Sequence, residues 1–331
     1  DDYLEQGYLS AFAKPEEITL FQWTDLFENK LVTPLGLQFA RIDRMLDLTG
    51  KPVGIPAYIP YASDGENHVE DFLGMQGFAL YPTPVFPEEG SVLITASSLY
   101  DPEIFTKLKA FLVKGGKVFV TPGFLQKAPE NEWRELSSSY LTGRKLQVTR
   151  YYKTDDPAGY LEDVPAVLFA DIQHSNNLSW SLLNGGAGEY HTTLFLKDTY
   201  GKGQMYLLNI PENPSDLAKM PEWALDAIKP VFHYGNFYVT GRNVSVFHYD
   251  NGAVILYAHV TPQAHPVHVT LHVQAEQAKV VRQFAEPWYP DGKHEIPLTK
   301  REFRYDLAPM SELVGDVILN PGEFYEFLIE A

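Results

Sequence analysis

Along the chain, the spacing of apolar residues changes character twice. Residues 3–13 carry apolar side chains at helical spacing, and Leu37, Phe39, Ile42, Leu46 and Leu48 repeat that pattern. Between them, Glu17-Ile18-Thr19-Leu20-Phe21-Gln22-Trp23 reads as a strand. A lone short strand between helices cannot cover its own faces, so it must join a larger sheet. From 51 to 238 strand and helix patterns alternate. Residues 51–59 read as a strand that Pro52 and Pro56 make irregular or peripheral. A helix over 69–75 follows the acidic turn Ser63-Asp64-Gly65-Glu66-Asn67. The run Ser91-Val92-Leu93-Ile94-Thr95-Ala96 is almost continuously apolar, as in a strand covered on both faces. Asp101-Pro102 then opens a helix, with Asp as its cap and Pro in its first turn. Ile104, Leu108, Phe111 and Leu112 line one face of that helix, Gly115-Gly116 ends it, and Lys117-Val118-Phe119-Val120-Thr121 forms a second buried strand. The connection between the two strands is expected to be a right-handed parallel crossover. A further helix is expected over 130–141, strands over 148–152, 166–169, 190–196 and 203–209, and a last helix over 222–231.

From 239 onward only strand patterns remain. Runs of β-forming residues recur at 244–249, 253–260, 267–273, 279–284, 302–307 and 324–329, and Tyr249-Asp250-Asn251-Gly252 is a hairpin turn. The expected fold class is therefore α/β: an open, mostly parallel sheet flanked by helices, flavodoxin-like, with an all-β sandwich after it. The expected segments are 1–50, 51–238 and 239–331.

Charge and composition narrow the partners. The chain has 331 residues, with 26 Lys+Arg against 43 Asp+Glu and a formal net charge of −17. That repulsion argues against nucleic acid or an anionic membrane as the main partner. Cysteine is absent, which excludes disulfides, thiolate metal sites and a cysteine nucleophile. No apolar run of 18 residues and no basic leader with an apolar stretch is present in the sequence. The opening Asp1-Asp2-Tyr3 reads as the start of a piece trimmed from something longer. A cysteine-free chain suits either the cytoplasm or the periplasm.

The crevice beyond the strand ends is the default pocket of an open α/β sheet. Its expected rim is Tyr58, Tyr61, Ser63, Asp64, Glu66, Asn67, His68, Ser97, Ser98, Phe124 and Asn209. Tyrosine rings could stack on a sugar face there while Asp and Asn bond its hydroxyls. The same residues could also be only a turn and a helix start. Asp64 and Glu66 lie two residues apart in one loop, a poor arrangement for two carboxyls that must flank a glycosidic bond. His268 and His272 share a strand face about 13 Å apart at 3.3 Å per residue, too far to hold one zinc ion together. The glycines of Leu183-Asn184-Gly185-Gly186-Ala187-Gly188 lack a following Gly-Lys-Ser/Thr and read as a mobile turn. No metal or cofactor site is expected.

Phe12-Ala13-Lys14-Pro15-Glu16-Glu17-Ile18-Thr19-Leu20-Phe21-Gln22-Trp23 resembles the last strand of a glycoside hydrolase barrel. The α/β region, with Val92-Leu93-Ile94-Thr95, Lys117-Val118-Phe119-Val120-Thr121 and Gly203-Gln204-Met205-Tyr206-Leu207-Leu208-Asn209, resembles the class I glutamine-amidotransferase-like domain behind the barrel in some bacterial beta-galactosidases. The last segment resembles the β-sandwich that closes such enzymes. The resemblance implies that 1–50 is a barrel tail and linker helix, that the two catalytic glutamates lie upstream of Asp1, and that Trp23 faces a sugar pocket. Catalytic amidotransferases carry a Cys on the strand-to-helix elbow. Here the corresponding turn, Thr121-Pro122-Gly123-Phe124-Leu125, has neither Cys nor Ser. The implied function is a non-catalytic accessory and oligomerisation region, with carbohydrate as the parent enzyme's partner and a homo-oligomer as its state. Two alternatives stand beside it: a self-contained carbohydrate-active hydrolase or deacylase on Asp64, Glu66 and His68, and a carbohydrate-binding module that binds through the sandwich or through the crevice at Tyr58 or Tyr61.

Overall fold

The computed structural model describes residues 2–15, 17–18, 23–155, 164–175, 178–233, 235–261, 265–274, 280–286, 289–305 and 308–330. The chain forms two compact units. One comprises Ile55–Gln76 and Pro82–Phe232; the other comprises Asp1–Gly54, Gly77–Tyr81 and His233–Ala331. The molecule is mixed α/β and rich in sheet.

The first of these units is built on an eight-stranded sheet. Its edge strand is Leu80–Thr83, whose last two residues belong to this unit. The order then runs Ile55–Tyr58, Ser91–Ile94, Lys117–Val120, Gly203–Leu208, Tyr190–Tyr200, Trp180–Ala187, Arg150–Lys153. The pairings from Ile55–Tyr58 to Gly203–Leu208 are parallel. Those from Gly203–Leu208 to Arg150–Lys153 are antiparallel. The expectation of a mostly parallel sheet is thus corrected to a sheet that is half parallel and half antiparallel. The cause is loop length: Tyr200 pairs with Gly203 and Ala187 with Tyr190, and such tight turns can only join antiparallel strands. Of the glycine run, Gly185 and Gly186 lie in strand rather than in a turn, and Gly188 alone stands in the turn, at φ 58°. Gly185 lies within Trp180–Ala187, where a Cβ would come 2.7 Å from Val148 Cγ2. Glycine is needed there for close packing, not for flexibility.

The parallel half follows from local chemistry. Val92, Ile94, Val118 and Val120 are fully buried and share a core with Ile104, Leu108, Phe111 and Leu112 of the helix Ile104–Lys114. Gly115, at φ 105°, ends that helix in the left-handed region that glycine tolerates without cost. The helix expected over 130–141 is only Glu130–Arg134. Ser137 Oγ and Ser139 Oγ bond each other at 2.8 Å, Ser137 Oγ also donates to Asp198, and the chain enters the strand Ser139–Val148. Serine hydroxyls compete well with helical bonding.

The other unit holds two antiparallel sheets. Six strands run Pro52–Val53, Val244–Tyr249, Ala253–Ala258, Phe324–Glu330, Val280–Glu286, Tyr289–Glu295; four run Tyr238–Thr240, Val267–Gln274, Ala308–Leu319, Thr299–Tyr305. Val244, Val246, Val254 and Leu256 from the first sheet share a core with Val269, Leu271 and Val273 from the second. The alternate positions, Tyr249, Ala253, Ile255 and Tyr257, pack instead against Tyr8, Phe12, Ile42 and Met45 of the helices Asp2–Phe12 and Val32–Leu46. Ala253–Ala258 is therefore apolar at every position because both of its faces are covered. Lys14 Nζ fastens the helical layer by donating to the carbonyls of Leu46, Thr49 and Gly50 at 2.8–3.1 Å. Of the strand expected over 17–23, residues 19–22 lie outside the described residues. Glu17 and Ile18 have no regular structure, and Trp23 opens the helix Trp23–Glu28 rather than closing a strand.

Candidate functional site

The parallel strands Ile55–Tyr58, Ser91–Ile94 and Lys117–Val120 end together, and the loops leaving them meet at one side chain, Glu66. The loop after Ile55–Tyr58 is drawn into shape by short-range bonds. Ile59 N–H donates to Thr83 O at 2.9 Å, Ser63 Oγ to Pro60 O at 2.6 Å, and Gly65 N–H to Asp64 Oδ1 at 2.9 Å. Gly65 lies so close to Ser97 that a Cβ would overlap its hydroxyl. Three non-glycine residues of this loop, Ala62, Asn67 and His68, have positive φ values of 56°, 48° and 54°. Such backbone is unfavourable for L-residues and persists where surrounding bonds over-determine it.

These bends turn Glu66 inward. Its Oε2 accepts the N–H of Ala96 at 2.8 Å and the hydroxyl of Thr121, and its Oε1 accepts the N–H of Gly123 at 2.8 Å. Ala96 opens the 3-10 turn after one strand, and Gly123 lies in the first turn of the helix Pro122–Lys127 after the next. Both N–H groups are ones that a helical turn cannot satisfy itself. Gly123 is required here, because a Cβ would run into the Glu66 carboxylate. Burial holds the Glu66 carboxyl above its ordinary value, outweighing the pull of Thr121, Ala96 and Gly123 toward the charged form. The Thr121 hydroxyl thus spends its proton on Glu66, and Pro122 fills the first turn behind it. What stands at the elbow is a closed carboxylate–hydroxyl–amide cluster.

Tyr58 does not face the crevice. It is buried, donates its hydroxyl to Asp101 Oδ2 at 2.7 Å, and meets Phe86 edge-on. Lys107 Nζ bonds the same carboxylate oxygen at 2.6 Å, and the Glu103 N–H bonds Oδ1 at 3.0 Å. Burial acts to raise the Asp101 pKa, but these three donors outweigh it and hold the carboxyl below its ordinary range. Asn209 is also buried; its Nδ2 donates to Ala170 O at 3.0 Å and Thr193 O at 2.9 Å, tying neighbouring strands together. The Tyr58 phenol is spent on Asp101 and the Asn209 Nδ2 on two carbonyls, and both side chains are buried away from the crevice surface. Ser98 is internal as well, donating to Tyr58 O at 2.8 Å.

Asp64, Asn67 and His68 are exposed on the loop. His68 Nδ1 lies 3.7 Å from Glu70 Oε1. Glu66 is turned inward and His68 outward, so the trio Asp64, Glu66 and His68 does not converge on one point. Tyr61 is 86% exposed and borders an open depression of about 320 Å³ lined also by Ile59, Pro60, Ala62, Ser63, Pro82, Thr83 and Pro84. Trp23 belongs to the other unit, so it and the crevice residues lie in separate compact bodies. Among the described residues no group of three His, Asp or Glu side chains is placed to hold a metal ion.

Two buried polar arrays were not foreseen from the sequence. His259 Nδ1 meets Glu5 Oε1 at 2.5 Å, and its Nε2 meets Ser245 Oγ at 2.8 Å. The order Ser–His–acid is that of a hydrolase triad. Here, however, Ser245 is buried within the strand Val244–Tyr249, and the array fastens the helix Asp2–Phe12 to the sheet. In the second array Glu312 accepts from Tyr238 at 2.9 Å and meets His272 Nδ1 at 3.0 Å, while His272 Nε2 meets Thr240 Oγ1 at 2.9 Å. His272 is thus engaged by protein groups on both ring nitrogens. The partners stand 14 to 254 positions from each histidine, on other strands or on the helix Asp2–Phe12, so no local signal could have found these groups.

Residues 50–213 match the family model described as "Uncharacterized protein SSO3021, second domain". No curated protein matches the sequence. Among solved structures, the chain is similar to a catalytic mutant of a GH42 beta-galactosidase from G. stearothermophilus, at 14% identity and TM-score 0.47, over 91% of this chain and 44% of that one. It is similar to a beta-galactosidase from Bacillus circulans sp. alkalophilus at 15% identity and TM-score 0.42, over 89% and 44%. It is similar to alpha-L-fucosidase isoenzyme 2 from Paenibacillus thiaminolyticus at 12% identity and TM-score 0.47, over 85% and 49%. The chain thus spans less than half the length of each of these proteins.

Proposed function

We propose that this chain is a non-catalytic accessory and assembly region of a glycoside hydrolase of the beta-galactosidase type. In this reading its amidotransferase-like sheet serves as architecture, 1–50 is the tail of a barrel, and 239–331 is the closing sandwich. The observation that carries the non-catalytic part is the Glu66 cluster. The strand-end position where a sheet of this kind would present a nucleophile is filled by a carboxylate whose oxygens accept from Ala96, Thr121 and Gly123. A general base needs an oxygen free to take a reacting proton, and both Glu66 oxygens already accept from groups of the protein itself. The carbohydrate part rests on the resemblance of the second and third segments, in order, to such enzymes; the strand that suggested the first is not formed at Glu17, Ile18 or Trp23. Assembly into a homo-oligomer is supported by apolar side chains left exposed on the N-terminal helices of the sandwich-bearing unit, Phe27 at 71% and Leu37 at 64%.

The test is steady-state turnover by the purified 331-residue chain on a panel of aryl glycosides and aryl esters. No turnover above the protein-free rate is expected. Turnover that disappears in Glu66→Gln or Asp64→Asn would overturn the proposal.

A further inference from the structure

With Glu66 occupied at the centre of the strand-end crevice, a concave surface beside it is the depression at Tyr61. We propose that Tyr61 and this depression bind a single neutral pyranose ring, stacked by its C–H face on the phenol; the choice of ligand class rests on the carbohydrate reading above.

Size, preorganisation and polarity point the same way. A volume of about 320 Å³ lies at the small end of the range for ligand sites, enough for one sugar ring and too little for a chain enclosed on all sides. The platform is already set before any ligand arrives. Pro60, Pro82 and Pro84 fix three backbone φ angles around it. Ser63 Oγ to Pro60 O at 2.6 Å and Ile59 N–H to Thr83 O at 2.9 Å close the two loop segments on each other. Ala62 is held in left-handed backbone directly after the ring. A preformed site loses little entropy on binding, and this matters for a weak ligand held by one aromatic face.

The polar groups fit hydroxyls better than charges. The named lining residues include no Lys, Arg, Asp or Glu. Thr83 Oγ1 accepts the Val85 N–H at 3.2 Å, which leaves its own proton to donate. Ser63 gives its proton to Pro60 O, which leaves its oxygen to accept. One donor and one acceptor beside an apolar wall match the edge and the face of a pyranose. The chain's net charge of −17 disfavours anionic ligands. Location agrees too: the loop leaves the carboxyl end of a parallel strand, the usual place for ligands on such sheets.

Saturation-transfer NMR on the full chain tests the proposal, with methyl β-D-galactopyranoside and methyl β-D-glucopyranoside as probes and methyl β-D-glucuronide as the anionic comparison. Transfer to ring C–H protons of at least one neutral glycoside is expected, weakened about tenfold by Tyr61→Ala and kept by Tyr61→Trp. Tyr61 is a surface side chain, so its substitutions leave the fold intact, which a far-UV spectrum verifies. No transfer to either neutral glycoside, equal transfer in Tyr61→Ala, or preference for the glucuronide would overturn it. Binding is read here without turnover. Hydrolytic activity in the chain would therefore sink the accessory reading and leave this one standing, and silence in the NMR experiment would do the reverse.

Discussion

Replacing Glu66 by Ala would strip the strand-end cluster of the carboxylate that its donors share. The N–H groups of Ala96 and Gly123 would lose that partner at once, and the hydroxyl of Thr121 would keep only its longer bond to Ile94 O at 3.4 Å. A buried donor left unsatisfied costs about 1–3 kcal/mol. Glu66 as a residue is only half-buried, so water can reach part of the vacated space and offset some of that loss. The expected destabilisation is about 2–4 kcal/mol by these per-donor magnitudes. Glu66→Gln keeps one oxygen and sets an amide N–H₂ against a donor, for about 1–3 kcal/mol. The two variants also separate by pH. The unfolded carboxyl titrates near its ordinary 4.5 and the folded one above it, so between those values the folded chain holds more protons. Unfolding free energy then falls as pH rises through that window. Gln does not titrate, so the gap between parent and Glu66→Gln is expected to narrow as pH rises above 4.5. Urea denaturation followed by circular dichroism at several pH values reads both effects. A Glu66→Ala variant within 0.5 kcal/mol of the parent, a figure on the scale of neutral surface changes, would refute this view of the cluster.

Four further outcomes follow from other groups. Tyr58→Phe removes one donor to Asp101 and is expected to cost about 1 kcal/mol. Because the Asp101 carboxyl is held low, its stabilisation is present above the unfolded pKa and fades as pH falls, so Asp101→Asn should flatten the acid limb of the stability curve. Burial pushes His248 down to about 4, from 6.5. The unfolded chain binds the extra proton between those values, so stability rises with pH there by up to about 1.4 kcal/mol per unit; His248→Gln should abolish that slope in urea titrations. Glu5→Gln and Ser245→Ala loosen the His259 array, and hydrogen exchange should quicken over 2–12, with a pattern indistinguishable from the parent counting against the array as a fastening.

Much of the local structure is written in short-range pattern. The Ser91–Ile94 strand, the Ile104–Lys114 helix and the Lys117–Val120 strand were legible because an apolar run, an Asp-Pro start and a Gly-Gly stop sit within 31 residues of one another. The Tyr249-Asp250-Asn251-Gly252 turn was legible for the same reason, and Gly252 takes φ 83° there. The antiparallel half of the sheet was harder, since strand pattern alone does not fix the direction of a neighbour. Residues 180–187 misled through their glycines, whose role is set by Val148 more than thirty positions away. The site was legible only as a neighbourhood. Loop 58–68 was picked out as a rim, but whether each side chain faces in or out depends on three residues in left-handed backbone, which composition does not reveal. The partners of Glu66 lie 30, 55 and 57 positions away, so the closure at its centre could not be read from any window of sequence.

The claim that Glu66 closes the strand end is tested most directly by carboxyl ¹³C NMR of the Glu-labelled chain, with the Glu66→Gln variant supplying the assignment. A titration midpoint above 4.5 is expected, moving higher still in Thr121→Val because a donor to the charged form is gone. A midpoint at or below 4.5 that ignores the loss of the Thr121 hydroxyl would mean that Glu66 stands open to solvent, and the closure with it would be wrong.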